Sequence, residues 1–427
     1  MTTSADRPPA DAATAAPSAT AHRLRVMSGR DPDEEHRAAT PLELLFDLTF
    51  VVGFGVAGER LAELLAEGHL ASGLVGFCFA TFAICWAWIN YSWFASAYDT
   101  DDWAFRLATM VLMVGVIVLA LGLPAMFHSV DAGHEIDNGV MVLGYVVMRV
   151  AMVFLWLRAS RQDPARQRAC LIYVATIAAS QVGWVLLLLA HTGVGTFFAL
   201  AAPLFLIELA GPVLADNRAD GTPWHPGHIA ERYGLLAIIA LGEGVIGTVA
   251  SLGAVVDVEG WTVDAALVAV AGTGLTFGLW WMYFMLPSAQ VLRAHRRRSF
   301  PWGYGHIPLF GSIVAVGAGL HVAALYIGHQ AHVGATATVL AVAIPVAIFA
   351  LTLFVLYALL VLARDPFHGL LLVATMAVLG LAVALAAAGV SMAVCLVVLM
   401  LAPVVTVVGY ETIGHRHVAA HLAEATP

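Results

Sequence analysis

Residues 40–65 read TPLELLFDLTFVVGFGVAGERLAELL, an apolar run long enough to cross a bilayer that still carries five charged side chains. Glu43 and Asp47 are four residues apart, so on a helix they share one face. Glu59, Arg60 and Glu63 follow about three turns later. On an insertion scale a carboxylate at mid-span costs roughly 2.5–3.5 kcal/mol, against about 0.3–0.6 kcal/mol gained per Leu, Ile, Phe or Val. Two such acids cancel most of what the run gains. The helix is therefore expected to be wrapped by the rest of the chain, with any chemistry beside it.

The whole chain is of the same kind. Its 427 residues are 60 % hydrophobic and 11 % charged, with a mean hydropathy of +0.85. A soluble domain has about 25 % charged residues, so an integral membrane protein in a lipid bilayer is implied. All 20 basic residues are Arg, and the net charge of −9 argues against a nucleic-acid partner. Cys78, Cys85, Cys170 and Cys395 lie scattered in apolar runs and read as small core residues.

Residues 1–39 are rich in Ala, Thr, Pro and Asp without apolar periodicity, which predicts a disordered tail and no cleaved targeting segment. Apolar runs follow near 42–66, 70–96, 105–126, 139–158, 169–190, 196–215, 229–252, 263–286, 304–327, 335–362, 367–388 and 391–413. They predict an all-α polytopic transmembrane bundle of about twelve spans. The last two are so close that eleven is the alternative. With the amino terminus inside, cytoplasmic segments hold Arg7, Arg23, Arg25, Arg30, Arg37, Arg158, Arg161, Arg166, Arg168, Arg218, Arg293, Arg296, Arg297, Arg298, Arg364 and Arg416. The opposite loops hold none. This positive-inside pattern predicts a multi-pass membrane protein with both termini cytoplasmic, the last tail being 415–427.

Three features recur in order. FDLTFVVGFG of the first span matches YGLLAIIALGEG of the seventh. The box WAWINYSWF (86–94) matches LWWMYF (279–284), and Trp103-Ala-Phe-Arg106 matches Trp302-Gly-Tyr-Gly-His306. Two like-oriented six-helix halves, 40–218 and 226–414, are expected, as in transporters built from parallel repeats. The plainer account is the shared composition of membrane helices.

ATPLELLFDLTFV, WAWINYSWFASAYDTDDWAFRL, HIAERYGLLAIIALGEGV and YGHIPLFGSIVAVGAG together resemble the bacterial low temperature requirement A (LtrA) family, from about Thr40 to Thr412. The chain departs from that pattern at Leu45, where Phe is usual, and at Gly244, where Ser is usual. Neither change removes a charge. The resemblance implies a fold class and candidate positions rather than a reaction.

Five ionisable residues are substrate- or ion-coupling candidates. Thr40-Pro41-Leu42-Glu43 is a capping box, so Glu43 has a structural role whether or not it has another. Asp47, one turn deeper, cannot cap. It is either a functional acid or the partner of an arginine, Arg149 and Arg106 being the obvious choices. Arg149, in mid-span, needs an acid: Asp47, Glu208 or Glu243. Glu243, flanked by Gly242 and Gly244, is the leading candidate for a proton- or ion-linked carboxylate, at a place where a transporter helix can break. Glu231 and Arg232 read as an interfacial pair at the mouth of the seventh span.

Other signals are weaker. Trp88, Tyr91, Trp281 and Tyr283 are cavity-lining candidates, with packing and an interfacial belt as the plainer account. Asp99, Asp101 and Asp102 read as helix N-terminal acids pairing with Arg106. His306 and His321 read as core histidines. The spacings of His225, His228 and Glu231, and of His415, His417 and His421, are compatible with a metal, but no metal site or cofactor is expected.

These features favour a secondary transporter or proton/ion-linked permease for a small solute of unknown identity. The alternative is a channel-like or non-transporting protein of envelope and low-temperature adaptation, which fits the cold-growth association the resemblance implies. An enzyme is not expected, because no nucleophile constellation, phosphate loop or zinc-protease helix is found. Nothing in the sequence indicates an oligomeric state.

Overall fold

In the computed structural model, which describes residues 24–35, 37–219, 221–361 and 365–419, the first helix (α1, Pro41–Glu67) opens on the expected capping box. The Thr40 hydroxyl accepts from the Glu43 N–H at 3.3 Å, and the Glu43 carboxylate accepts from the Thr40 N–H at 2.8 Å. The helix stops at Gly68, whose φ of +89° suits a residue without Cβ. The first half continues with α2 (Leu70–Tyr98), α3 (Trp103–Ala132), α4 (Gly139–Gln162), α5 (Gln167–Leu189) and α6 (Val194–Ala219). The second comprises α7 (Pro226–Glu259), α8 (Val263–Phe284), the short α9 (Ser288–Ala294), α10 (Ser299–Ile327), α11 (Ala335–Val361), α12 (Pro366–Ala387) and α13 (Met392–Gly409).

Twelve of these helices are long and apolar enough to cross a membrane, and there is no strand among the described residues. The choice between eleven and twelve spans is resolved by a turn at 388–391, where Gly389 takes a φ of +79° and separates α12 from α13. An even number of crossings puts the starts of α1 and α7 on one face with the end of α13. Arg158, Arg218 and the 293–298 cluster lie at connections on that same arginine-rich face.

The neighbour order of the helices repeats. In the first half α1 packs on α2 and α3, α3 on α4, α4 on α5, and α5 on α6; in the second α7 packs on α8 and α10, α10 on α11, α11 on α12, and α12 on α13. α2 reaches α6 through Phe82 and Phe205, as α8 reaches α13. The halves meet where α1 and α2 pack against α7 and α10. α10 is the most enclosed span at 78 % buried, whereas α5 and α6 reach only 22 % and lie at the periphery. Glycine permits a close crossing of α7 and α10. A Cβ on Gly317 of α10 would stand 2.6 Å from the backbone carbonyl carbon of Glu243 on α7.

The expectation of a disordered tail over 1–39 does not hold for its described part. Residues 24–35 and 37–39 form neither helix nor strand, turn after Asp31, and are tied by polar groups to the helix ends of the arginine-rich face. The Arg25 N–H donates to Asp102 at 3.1 Å and the Met27 N–H to Gln162 at 2.7 Å; the Met27 side chain is fully buried. Arg37 donates from Nη2 to the Ala95 carbonyl at 2.7 Å and from Nη1 to that of Ser96, at the carboxyl end of α2. Composition suggested disorder because the segment gains its order from helix ends far away in sequence. Residues 1–23, with Arg7 and Arg23, lie outside the described residues, as do Arg364 and His421. Residues 415–419 stay helical, with His417 Nδ1 2.6 Å from Asp365. Cys78 is exposed on α2 rather than a core residue.

Candidate functional site

Two helix starts build the central cluster. The capping box fixes Glu43 in the first turn of α1, and Asp47 follows one turn deeper on the same face. Across from them, His225 caps α7 by accepting the His228 N–H at 3.0 Å, and Pro226 occupies the first helical position. This aims His228 and Arg232, one turn apart, at α1. Asp47 and Arg232 each lie six residues into their helices, about 9 Å along the axis.

The guanidinium of Arg232 is fully buried and engages both acids. Its Nη1 donates to Glu43 Oε1 at 2.8 Å, its Nη2 to Asp47 Oδ1 at 2.5 Å and its Nε to Asp47 Oδ2 at 3.0 Å. That is a fork on one carboxylate and a single bond to the other. Trp88 of α2 donates its indole N–H to Asp47 Oδ1 at 2.7 Å, and His228 Nε2 lies 3.1 Å from Glu43 Oε1. The Trp88 and Tyr91 rings lie 5.7 and 5.9 Å from the guanidinium carbon. Two carboxylates face one guanidinium here, and Arg37 is the further cation whose field reaches Glu43. Both acids are held by the one guanidinium, although His228 Nδ1 is left without a hydrogen-bond partner among the described residues, and the ion pairs form a clamp joining the two halves.

This corrects two expectations. Asp47 pairs with neither Arg149 nor Arg106, and Arg232 is no interfacial residue. Sequence reasoning missed Arg232 and His228 because it began the seventh span at Ile229, leaving Arg232 at a wet mouth. In fact α7 starts at Pro226, and the amino-terminal segment lies over its end, with Glu34 O 2.9 Å from His225 Nε2 and the Ala39 N–H donating to Glu231 at 3.3 Å. A lone arginine one turn after a histidine, facing a span with two acids, was the available signal. Glu231 is exposed, so His225, His228 and Glu231 do not converge.

A second cluster lies wholly within the first half. Arg149 of α4 donates to Glu208 of α6 at 2.9 Å, the partner choice that the sequence left open. Glu208 also accepts from Trp86 Nε1 at 2.6 Å and from the Ser180 hydroxyl at 2.9 Å. It too is saturated. The aspartates before α3 divide their roles. Asp101 pairs with Arg106 at 2.8 Å in the open, while Asp102 caps α3 and holds Arg158. Burial pushes Asp102 up, but Arg158 and the Phe105 and Arg25 N–H groups outweigh it and hold the carboxyl below its usual range. Burial raises Asp99 to about 6, with the field of Glu43 adding to it.

Glu243 differs from all of these. It sits halfway along α7, half-buried, and makes no hydrogen bond or ion pair among the described residues. Its carboxylate lies over a notch on α1: a Cβ built on Gly55 would be 3.3 Å from Oε1, and one on Gly58 4.0 Å from Oε2. Eleven residues separate Arg232 from Glu243, three helical turns and about 16 Å along the same face of α7. Between the two levels the buried residues of α1 and α7 are apolar, among them Phe50, Phe54, Leu236 and Ala240. α7 is unbroken through Gly242 and Gly244, contrary to the expected break. Gly244 serves packing, since a Cβ on it would meet Thr276 Oγ1 of α8 at 2.6 Å, whereas nothing lies within 4 Å of the Gly242 position.

Of the aromatic candidates, Trp88 and Tyr91 belong to the clamp. Tyr283 contacts His306 Nε2 at 3.1 Å, and His306, buried as expected, also contacts the Trp302 carbonyl. Trp281 faces outward and donates to Glu411 at 3.0 Å, so it lines nothing. A narrow pocket of about 30 Å³ does open between the halves, near the arginine-rich face, but other residues form it: Asn90, Trp93, Tyr173, Asp216, Trp224 and Tyr304. Trp93 ties it to the residue after Arg232 by donating to the Tyr233 hydroxyl at 3.0 Å.

A polytopic helical membrane protein in two packed halves, clamped by buried ion pairs, is thus the class that fold and site define. The chain belongs to the bacterial low temperature requirement A protein (LtrA) family, whose sequence pattern it matches over residues 38–403. It is similar to an uncharacterised protein of Rhizobium meliloti (strain 1021), at 25 % identity over 307 residues, covering 68 % of this chain and 70 % of that protein. No solved structure matches the chain.

Proposed function

We propose that this protein is a secondary transporter that links movement of a small solute to an ion, with Glu243 as the carboxylate that takes up and releases the ion. One observation carries the proposal: Glu43, Asp47 and Glu208 each hold a buried arginine, whereas Glu243, deeper along its helix, has no partner among the described residues. An unpaired carboxylate in a span costs roughly 2.5–3.5 kcal/mol and is a functional position by default. Its place on the α1–α7 seam between two halves of like helix order suits rocking of one half on the other. The Arg232 clamp then acts as the pivot, and the narrow pocket beside Trp93 and Tyr304, which lies between the halves, is where that rocking would open a path for the solute. In this proposal the arginine-rich face, with both termini, is cytoplasmic in the bacterial inner membrane.

The test is flux in proteoliposomes loaded with a pH dye or with radioactive sodium, challenged by a panel of amino acids, sugars, nucleosides and organic cations. A solute that moves protons or sodium with wild type, but not with Glu243→Gln of equal stability, supports the proposal. If no member of the panel moves either ion, the second reading takes its place. That reading, a channel-like or non-transporting protein of low-temperature envelope adaptation, is favoured by the saturation of the acids in the Arg232 and Arg149 clusters.

A further inference from the structure

We propose that the ion exchanged at Glu243 is the proton, held as a neutral carboxyl in the Gly55–Gly58 notch, and that no metal cation is bound there. This rests on the reading of Glu243 as the coupling residue and goes beyond it by naming the ion.

A hard cation needs several oxygen ligands in a closed shell, six to eight for calcium and near-octahedral geometry for magnesium. Transporter sodium sites draw such oxygens from unwound helix carbonyls. None is offered at this level. α1, α7 and α10 all pass Glu243 as continuous α-helix, so their carbonyls are committed to their own turns. The hydroxyls of this stretch serve other contacts, Thr248 and Thr276 at the α7–α8 crossing and Ser251 against the Leu320 carbonyl of α10 at 2.6 Å, whereas the Glu243 oxygens face α1. The carboxylate faces Gly55 and Gly58, and the Gly58 position is also bounded by the Val314 side chain at 3.3 Å and, at 3.9 Å, the Val314 carbonyl within continuous α10. Apart from that carbonyl, these supply hydrocarbon, and a carboxyl can become neutral in them only by taking a proton.

The charged surroundings agree. On α1 the charged residues next to Gly58 are Glu59 and Arg60, and Arg60 is taken up by acids of its own helix, Glu63 at 2.6 Å and Glu59 at 4.0 Å. On α10 the nearest titratable residue along the helix is His321, one turn past Gly317; α8 carries none between Asp264 and Tyr283. No fixed cation among these groups stands where it would keep Glu243 ionised.

A protonated carboxyl in an apolar notch reacts with a hydrophobic carbodiimide: its proton moves to a reagent nitrogen while the carboxyl oxygen bonds to the central carbon. The full-length protein in lipid nanodiscs would be treated with dicyclohexylcarbodiimide across a pH series, in sodium and in choline buffers, and the adduct mapped by peptide mass spectrometry. The expected result is one adduct on the Glu243 peptide, absent in Glu243→Gln and retained in Glu59→Gln. Its rate should fall about tenfold per pH unit once the group titrates and be the same in both buffers. Protection by sodium, or no Glu243 adduct in a protein that melts normally, overturns the inference. Sodium-driven solute flux would sink this inference alone and leave transport standing. A pH-dependent adduct without any solute-evoked flux would instead sink the transport reading and keep the protonation site.

Discussion

Arg232 holds Asp47 through two nitrogens, Nη2 to Oδ1 at 2.5 Å and Nε to Oδ2 at 3.0 Å, and so fastens the first helix of the second half to the first helix of the first. Neither residue is exposed to solvent. Such a pair is weak evidence of net stabilisation but strong evidence of what breaking it costs, because each charge is left buried without its complement.

Arg232→Met should therefore destabilise the protein by about 3–5 kcal/mol, read as a lower melting temperature in detergent. Adding Glu43→Gln and Asp47→Leu, which remove the stranded charges, should recover most of that loss. If the triple variant melts as early as the single one, the clamp is not what Arg232 contributes.

Glu243→Gln should behave oppositely. It breaks no hydrogen bond or ion pair among the described residues, so the melting temperature should change by no more than about 0.5 kcal/mol equivalent. Glu208→Leu, which strands Arg149 and the Trp86 and Ser180 donors, should cost several kcal/mol. Equal losses in these two variants would erase the distinction between static and exchanging acids.

The helix crossing beside Glu243 gives a steric prediction. Gly317→Val sets a Cβ 2.6 Å from the Glu243 backbone, so α7 and α10 must separate. Overpacking of this kind costs about 1–3 kcal/mol. Gly242→Ala, where nothing lies within 4 Å of the added Cβ, should be neutral in the same melting assay.

Two aspartates outside the spans should show opposite pH behaviour. Asp99 is raised to about 6 by burial. The folded state thus binds a proton more tightly than the unfolded state, and its contribution to stability declines as pH rises from about 4 to 6, the penalty being complete above that window. Asp99→Asn keeps an acceptor for the Asp101 N–H and should raise stability at pH 7 by roughly 2–3 kcal/mol, with the gain vanishing below pH 4. Asp102 is held below its usual range, so its contribution is present above about pH 4 and is lost on acidification. Melting curves of Asp99→Asn and Asp102→Asn from pH 4 to 8 should diverge in sign.

Much of this was legible in the chain. Twelve apolar runs, the Thr40–Glu43 capping box and the arginine asymmetry each depend on local composition or spacing, and each appears in the structure. Mid-span Arg149 had to find an acid and found Glu208. What was not legible was tertiary. Whether Arg232 is wet or buried depends on residues 24–35 and 37–39, which look disordered because their binding partners lie at the ends of α2, α3 and α4. The Gly-Glu-Gly of α7 suggested a broken helix, yet α7 is continuous there and Gly244 admits Thr276 of α8. Trp281 and Trp93 carry the same indole, and only the rotation of their helices decides which meets a cavity.

The central claim is that Glu243 exchanges an ion while the Arg232 clamp stays fixed. It is tested most directly by solute-evoked proton flux into proteoliposomes, measured side by side for wild type and Glu243→Gln, with the melting temperature of each preparation. The account predicts flux in the wild type, none in Glu243→Gln, and equal melting temperatures. Flux that survives in a folded Glu243→Gln protein would contradict it.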